Sequence, residues 1–309
     1  MRPALAGAGR GLAVLLLAAV PAHGQGAPLA PLALRLSGGT RAGGLGNAFV
    51  AGRGAEVIFS NPAQVGILPS SMLSFQRFGS AANLGTFATV GPYGRLAIGA
   101  GVQYLDYHTP AAASRFIRPA DLPAGGSFHS MSLVATVAAA RTIKGIRVGA
   151  AGKYVQENVG GARDGGLALD VGVAREVGRT TVGLTVQNIG GGIEIQGERA
   201  RLPTRVSAGV FSPNILLSSY FDLVLALSVA RERDGRIVPA GGAELFYQPV
   251  QGWIFVGRVG GRRVESGLTA RESPVTLGGS FGLDRLWIDY AFQPSRGSGA
   301  SHRVGIRIQ

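Results

Sequence analysis

The sequence predicts an all-β protein: a transmembrane antiparallel β-barrel of about 14 strands. Three observations carry this expectation. From Ser71 onward, segments of about 8 to 12 residues alternate apolar with small or polar side chains. The connections between them alternate between tight turns and long loops. After Val20, no apolar run is long enough for a membrane-spanning helix.

Taken from the start, Arg2 and Arg10 precede the apolar run "GLAVLLLAAV", and Pro21 with Ala22-His23-Gly24 forms a small-residue cleavage site before Gln25. Residues 1–24 therefore read as a secretory signal peptide removed on export. The run from Leu12 to Val20 is well short of the roughly 20 residues a membrane anchor helix needs. The 309 residues contain 50 glycines and no cysteine, so the exported chain must be stabilised by one large fold or by a membrane. Lys plus Arg number 30 against 17 acidic residues, yet the arginines are scattered with no basic helix or aromatic-interleaved basic run. That scatter argues against a nucleic-acid partner and for anionic lipid headgroups or an acidic ligand.

Residues 25–69 come next and include "GLGNAFVAGRGAEVIFSNPAQVGIL", which repeats cleanly at neither 3.6 nor 2 residues. Its apolar residues Phe49, Val57, Ile58, Phe59, Ile67 and Leu68 argue against a solvated tail. Residues 70–309 form the regular part. In "RLAIGAGVQY" the apolar set is Leu96, Ile98, Ala100, Val102 and Tyr104, and the intervening residues are small or polar. "GLALDVGVARE", "YFDLVLALSV" and "LWIDYAF" repeat the pattern, one face suited to hydrocarbon and the other to water. The expected strands are 71–78, 83–90, 94–104, 127–139, 145–156, 166–176, 180–188, 204–212, 220–230, 240–248, 252–260, 274–282, 285–292 and 302–308.

Every second connection is short ("GPYG", "RTIK", "GR", "QPVQ"), and the others include "LDYHTPAAASRFIRPADLPAGG" and "GRRVESGLTARES". Short turns on one rim and long loops on the other are the pattern of an outer-membrane barrel, with the turns periplasmic. Lipid offers no hydrogen-bond partners, so the sheet must close, and an even strand count returns both ends to one side. Tyr104, Tyr107, Tyr154, Tyr247, Trp253 and Tyr290 fall toward strand ends, at headgroup depth. Trp287 points inward by parity, against whatever fills the lumen, unless the register slips by one there.

Lys153, Asp170, Asp222, Glu244, Arg258, Asp289, Arg303 and Arg307 all share the inward parity and read as lumenal charges. An Arg at mid-depth on the lipid face costs roughly 2 to 4 kcal/mol, which explains their placement. Closure of the last hairpin by "QPSRGSGAS" would set Asp289 nearly opposite Arg303, an expected ion pair. Catalytic constellations are thin. "GGSFG" at Gly278–Gly282 matches the nucleophile-elbow pattern but lies within an alternating strand and lacks the strained turn. His108, His129 and His302 are isolated, and Ser130 beside His129 makes no base pair for a nucleophile by adjacency alone. Neither a catalytic, a metal nor a cofactor site is expected.

The stretch "GGTRAGGLGNAFVAGRGAEVIFSNPAQVGIL" resembles the N-terminal signature of two related groups of outer-membrane barrels: PorV/PorQ proteins of type IX secretion and FadL-type transporters of hydrophobic compounds. Gly39, Arg41, Gly44, Gly46, Ala48, Phe49, Val50 and Ala51 match, followed by Asn61, Pro62 and Ala63. Only Glu56 remains of a usually more acidic segment, and Ser60 stands where an aromatic is usual. "WIDYAFQPSRGSGASHRVGIRIQ" is similar to the last PorV/PorQ hairpin, although Ile308-Gln309 replaces a terminal aromatic. The resemblance implies that residues 25–69 fold into the barrel as a plug, with Gly44, Gly46, Ala48, Phe49, Asn61, Pro62 and Ala63 forming its motif. Physics agrees, because about fourteen strands enclose a lumen too wide for the barrel's own side chains to fill.

The expectation is a non-enzymatic outer-membrane protein resembling PorV/PorQ, an accessory or adaptor in secretion. The alternative is a FadL-like passive transporter of hydrophobic small molecules. Outer-membrane lipid is the expected partner in both, joined by secretion-system proteins or exported cargo in the first and by a hydrophobic small molecule in the second.

Overall fold

A computed structural model describes residues 31–79, 82–110, 127–195, 198–263, 273–295 and 300–309. The expected signal peptide, 1–24, lies outside the described residues, as do the first residues of the segment before the barrel and much of the two longest connections.

Strands form where the period-2 pattern places them. They are β1 (Ser70–Phe78), β2 (Ala82–Tyr93), β3 (Leu96–Pro110), β4 (Ser127–Ile143), β5 (Ile146–Val159), β6 (Ala162–Val177) and β7 (Thr180–Ile189). After the short β8 (Ile193–Ile195) and β9 (Glu198–Ala200) come β10 (Arg205–Phe211), β11 (Ile215–Leu216), β12 (Phe221–Glu232) and β13 (Ile237–Val250). The last are β14 (Trp253–Arg262), β15 (Val275–Leu283), β16 (Leu286–Gln293) and β17 (Ser301–Ile308). Fourteen of them pair antiparallel with their neighbours, and β1 bonds to β17, so the sheet closes and leaves no edge. β8 and β9 form a separate hairpin, and β11 is a two-residue addition to β12.

The outer face is hydrocarbon-like. Leu167 is 74% exposed and Val137 68%, and Leu73, Phe87, Leu225, Val304 and Ile306 are exposed as well. A soluble protein would not leave so continuous an apolar band in water. Tyr104, Tyr154, Tyr247, Trp253 and Tyr290 also face outward, whereas Trp287 is buried inside, so the register there does not slip.

The turn rim is tight. Two residues each connect β2–β3, β4–β5, β6–β7, β13–β14 and β15–β16. In the β4–β5 turn both Lys144 and Gly145 have positive φ (49° and 78°), the mirror-image turn whose twist suits a hairpin. The rims differ from the expectation at several points: on the turn rim nine residues separate β10 from β12, and on the opposite rim only three separate β1 from β2 and four separate β12 from β13. The β5–β6 connection is only Gly160-Gly161, also with positive φ, because the strands themselves continue upward. β3, β4 and β6 have 15, 17 and 16 residues, where a spanning strand needs about 9 to 11. Much of what reads in the sequence as loop is therefore sheet standing above the membrane.

The interior is packed and less wet than alternation alone suggests. On the loop side, inward Leu84, Leu105, Val134 and Val155 meet Ala33, while the β8–β9 hairpin adds Ile193 and Ile195 and the following segment adds Leu202. On the turn side, Leu45, Phe49, Val57 and Ile58 pack on Met72, Ala88, Ala138, Phe211 and Val224 of the wall. Residues 31–69 thus run through the lumen from the loop half to the turn rim, where β1 begins.

Candidate functional site: the segment inside the barrel

The inner segment has short helices only: Leu32–Arg35, Ala55–Phe59 and Pro62–Gln64 are 3-10 turns, and α1 is Thr40–Gly44. So short a helix cannot stabilise itself. Glu56 holds it from across a loop, accepting the Arg41 N–H at 2.9 Å and the Ala42 N–H at 2.7 Å. Asn61 organises the next turn: its Oδ1 accepts from Ala63 N at 3.0 Å, and its Nδ2 donates to the Val50 carbonyl at 2.9 Å. Pro62 then opens the 3-10 turn at a position that needs no donor.

Close approach to the wall is made possible mostly from the wall side. A Cβ on Gly260 would collide with the backbone of Gly44–Gly46, and one on Gly149 would meet the Pro62 carbonyl at 2.5 Å. Gly242 gives Leu45 the same room and Gly278 lies against Gly44. These inward glycines let backbone pack on backbone, as the motif glycine Gly46, itself at φ 63°, does from the other side.

Charged groups then fasten the segment. Arg41 forms a two-pronged pair with Glu244, Nε to Oε1 at 2.8 Å and Nη2 to Oε2 at 2.5 Å. Arg258 donates to the same carboxylate at 2.6 Å and reaches Asp289 at 3.5 Å. Arg307 closes the chain on Asp289 with bonds of 3.1 and 3.3 Å. Ser280 bonds both Arg258 and Asp289. Burial pulls the Arg41 pKa down, but the Glu244 carboxylate outweighs it and the group sits above its ordinary value. Arg41 also lies over the Phe49 and Phe211 rings, which meet edge to face at 6.0 Å, and Arg307 lies 4.6 Å over Trp287.

Of the inward charges expected from parity, Glu244, Arg258, Asp289 and Arg307 therefore form one network. Lys153 and Asp170 form another, at 2.6 Å, which Asn188 and Gln187 complete. The expected Asp289–Arg303 pair is corrected: Asp289 stands opposite Gly305, with both arginines two residues away on the diagonal, and Arg307 takes it. Arg303 instead donates to the Ser37 and Gly39 carbonyls at 2.9 and 3.0 Å and to Thr86 at 3.0 Å. Asp222 joins neither network; it is half-buried near the turn rim beside Asn214. Sequence reasoning missed Glu56 and Ser280 as members of the site, and took Arg41 only as a motif residue. Parity cannot reach the inner segment, and the "GGSFG" serine serves as a hydrogen-bond bridge.

The histidines have other partners: His129 meets Asp106 at 2.6 Å, and His302 meets Tyr290 at 2.7 Å on the outer face. Among the described residues no group of three or more His, Cys, Asp or Glu is placed to hold a metal.

A closed fourteen-strand cylinder with an apolar outside and an ion-paired segment within defines a transmembrane β-barrel of the outer-membrane type. No protein-family description and no curated protein matches the chain in sequence. Solved structures do match in fold. The toluene transporter TbuX of Ralstonia pickettii is 14% identical with a TM-score of 0.56, over 88% of this chain and 97% of that one. The CymD monoaromatic hydrocarbon channel matches at 12% identity and TM-score 0.60, over 88% and 96%. The P. putida toluene transporter TodX matches at 10% and 0.57, over 86% and 96%.

Proposed function

We propose that the chain is a passive transporter of hydrophobic small molecules across the outer membrane, the FadL-like alternative read from its N-terminal signature. The observation that carries this reading is the fold match over 88% of this chain to a toluene transporter. The matched barrels are named for toluene and monoaromatic hydrocarbons, and that cargo class suits a lumen whose loop half is lined by Leu84, Leu105, Val134 and Val155. In this reading residues 25–69 are the plug, and Arg41, Glu244, Arg258, Asp289 and Arg303 hold it against free leakage of water and ions. Arg53 and Arg307 belong to the vestibule beneath it. The PorV/PorQ reading rests on the terminal motifs.

The test is uptake of labelled toluene by cells with an intact outer membrane that express the chain. Uptake several-fold faster than in cells without it supports transport. Unchanged uptake, together with co-isolation of secretion proteins from the outer membrane, would replace this reading with the adaptor.

A further inference from the structure

On the turn side of the lumen, below the plug, lies a cavity of about 230 Å³. Arg41 and Arg53 from the inner segment and Arg258 and Arg307 from the wall line it, with Phe246 and Trp287 among its aromatic surfaces. Glu244 takes Arg41 and Arg258, and Asp289 takes Arg307 and reaches Arg258, while Asp222 near the same rim is bonded to Asn214, which leaves Arg53 without a carboxylate among the described residues. Glu56 is engaged by the backbone of α1. Among the described residues Arg53 has no ion pair, and its Nε is buried without a hydrogen-bond partner. Arg53 itself is half-buried, so its guanidinium, which has no protein acceptor among the described residues, is still open to an anion that enters the cavity.

We propose that this vestibule binds a small organic carboxylate, its acid group on Arg53 and its apolar body against Phe246 and Trp287. Size sets the class of ligand. A dry cavity of about 150 Å³ accepts benzene, and drug-sized pockets begin near roughly 300 Å³. About 230 Å³ therefore suits one ring carrying one acid group. The surplus positive charge selects the ionised acid over a neutral hydrocarbon of the same shape. This inference goes beyond the transport reading, because equilibrium binding here holds whether or not the lumen conducts.

The experiment uses the full chain in detergent micelles. The protein has two tryptophans, and Trp253 faces outward, so Trp253→Phe leaves Trp287 as the only indole and a reporter inside the cavity. Sodium benzoate should change Trp287 fluorescence saturably, and benzamide, its neutral counterpart, should bind at least about tenfold more weakly. Arg53→Gln should weaken benzoate by a similar factor and leave benzamide unchanged, with the heat-modifiable gel mobility of the folded barrel retained. Equal affinity for benzoate and benzamide overturns the proposal, and so does a response that never saturates. The benzoate–benzamide comparison needs no arginine variant, so it decides the matter even if Arg53→Gln fails to fold.

Discussion

Glu244 is fully buried between the Arg41 and Arg258 guanidinium groups. Such a group is worth little as a pair and much as a neutraliser, because its removal leaves Arg41 out of water without a carboxylate and Arg258 with only its share of Asp289. Glu244→Ala should therefore destabilise the barrel by roughly 3 to 5 kcal/mol, read as an earlier loss of the folded band when gel samples are heated. Glu244→Gln keeps the shape and loses the charge, and should fall between. The inward side of Glu244 and Arg258 is legible from parity, but their pairing and the part Arg41 plays in it are not. Asp289 stands opposite Gly305 with Arg303 and Arg307 on the two diagonals, and Arg307 takes it because Arg303 is committed to Ser37, Gly39 and Thr86. Period 2 says which face a residue is on and leaves its height on that face undetermined.

At the scale of elements, the strands were the most readable part, since lipid outside and packing inside impose the same alternation on every one. All fourteen expected segments are strands, and their main error is in length: β3, β5 and β6 run further into the loop rim than an alternation threshold detects, and β4 runs further toward the turn rim. The two faces make a paired prediction. Leu225 is exposed on the lipid side of β12, whereas Ser228 has inward parity. Leu225→Arg should block stable membrane assembly, at a cost of roughly 2 to 4 kcal/mol, and Ser228→Arg should be tolerated. Equal heat-modifiable mobility of both variants would contradict the assigned faces. The inner segment was unreadable in detail because it has no period, and its seat is cut into the wall by glycines whose purpose no single strand reveals. Gly260→Val should leave the barrel closed and push α1 from its seat, exposing the Arg53 peptide bond to trypsin in folded protein.

For the whole molecule, the question is what stands between the two rims. A chain lacking residues 25–69 should still insert, since none of the described ones, 31–69, lies in a strand. It should also pass ions in planar bilayers at a conductance well above that of the full chain, and equal currents would mean that the segment seals nothing. The route of that segment has a further consequence for biogenesis. Its first described residues sit in the loop half, near Leu84 and Leu105, while its downstream end feeds β1 at the turn rim. A thread lodged this way cannot be drawn into a finished cylinder through the seam that β1 and β17 make. Where the staves gather around it first, the joining of first strand to last is the step that imprisons it.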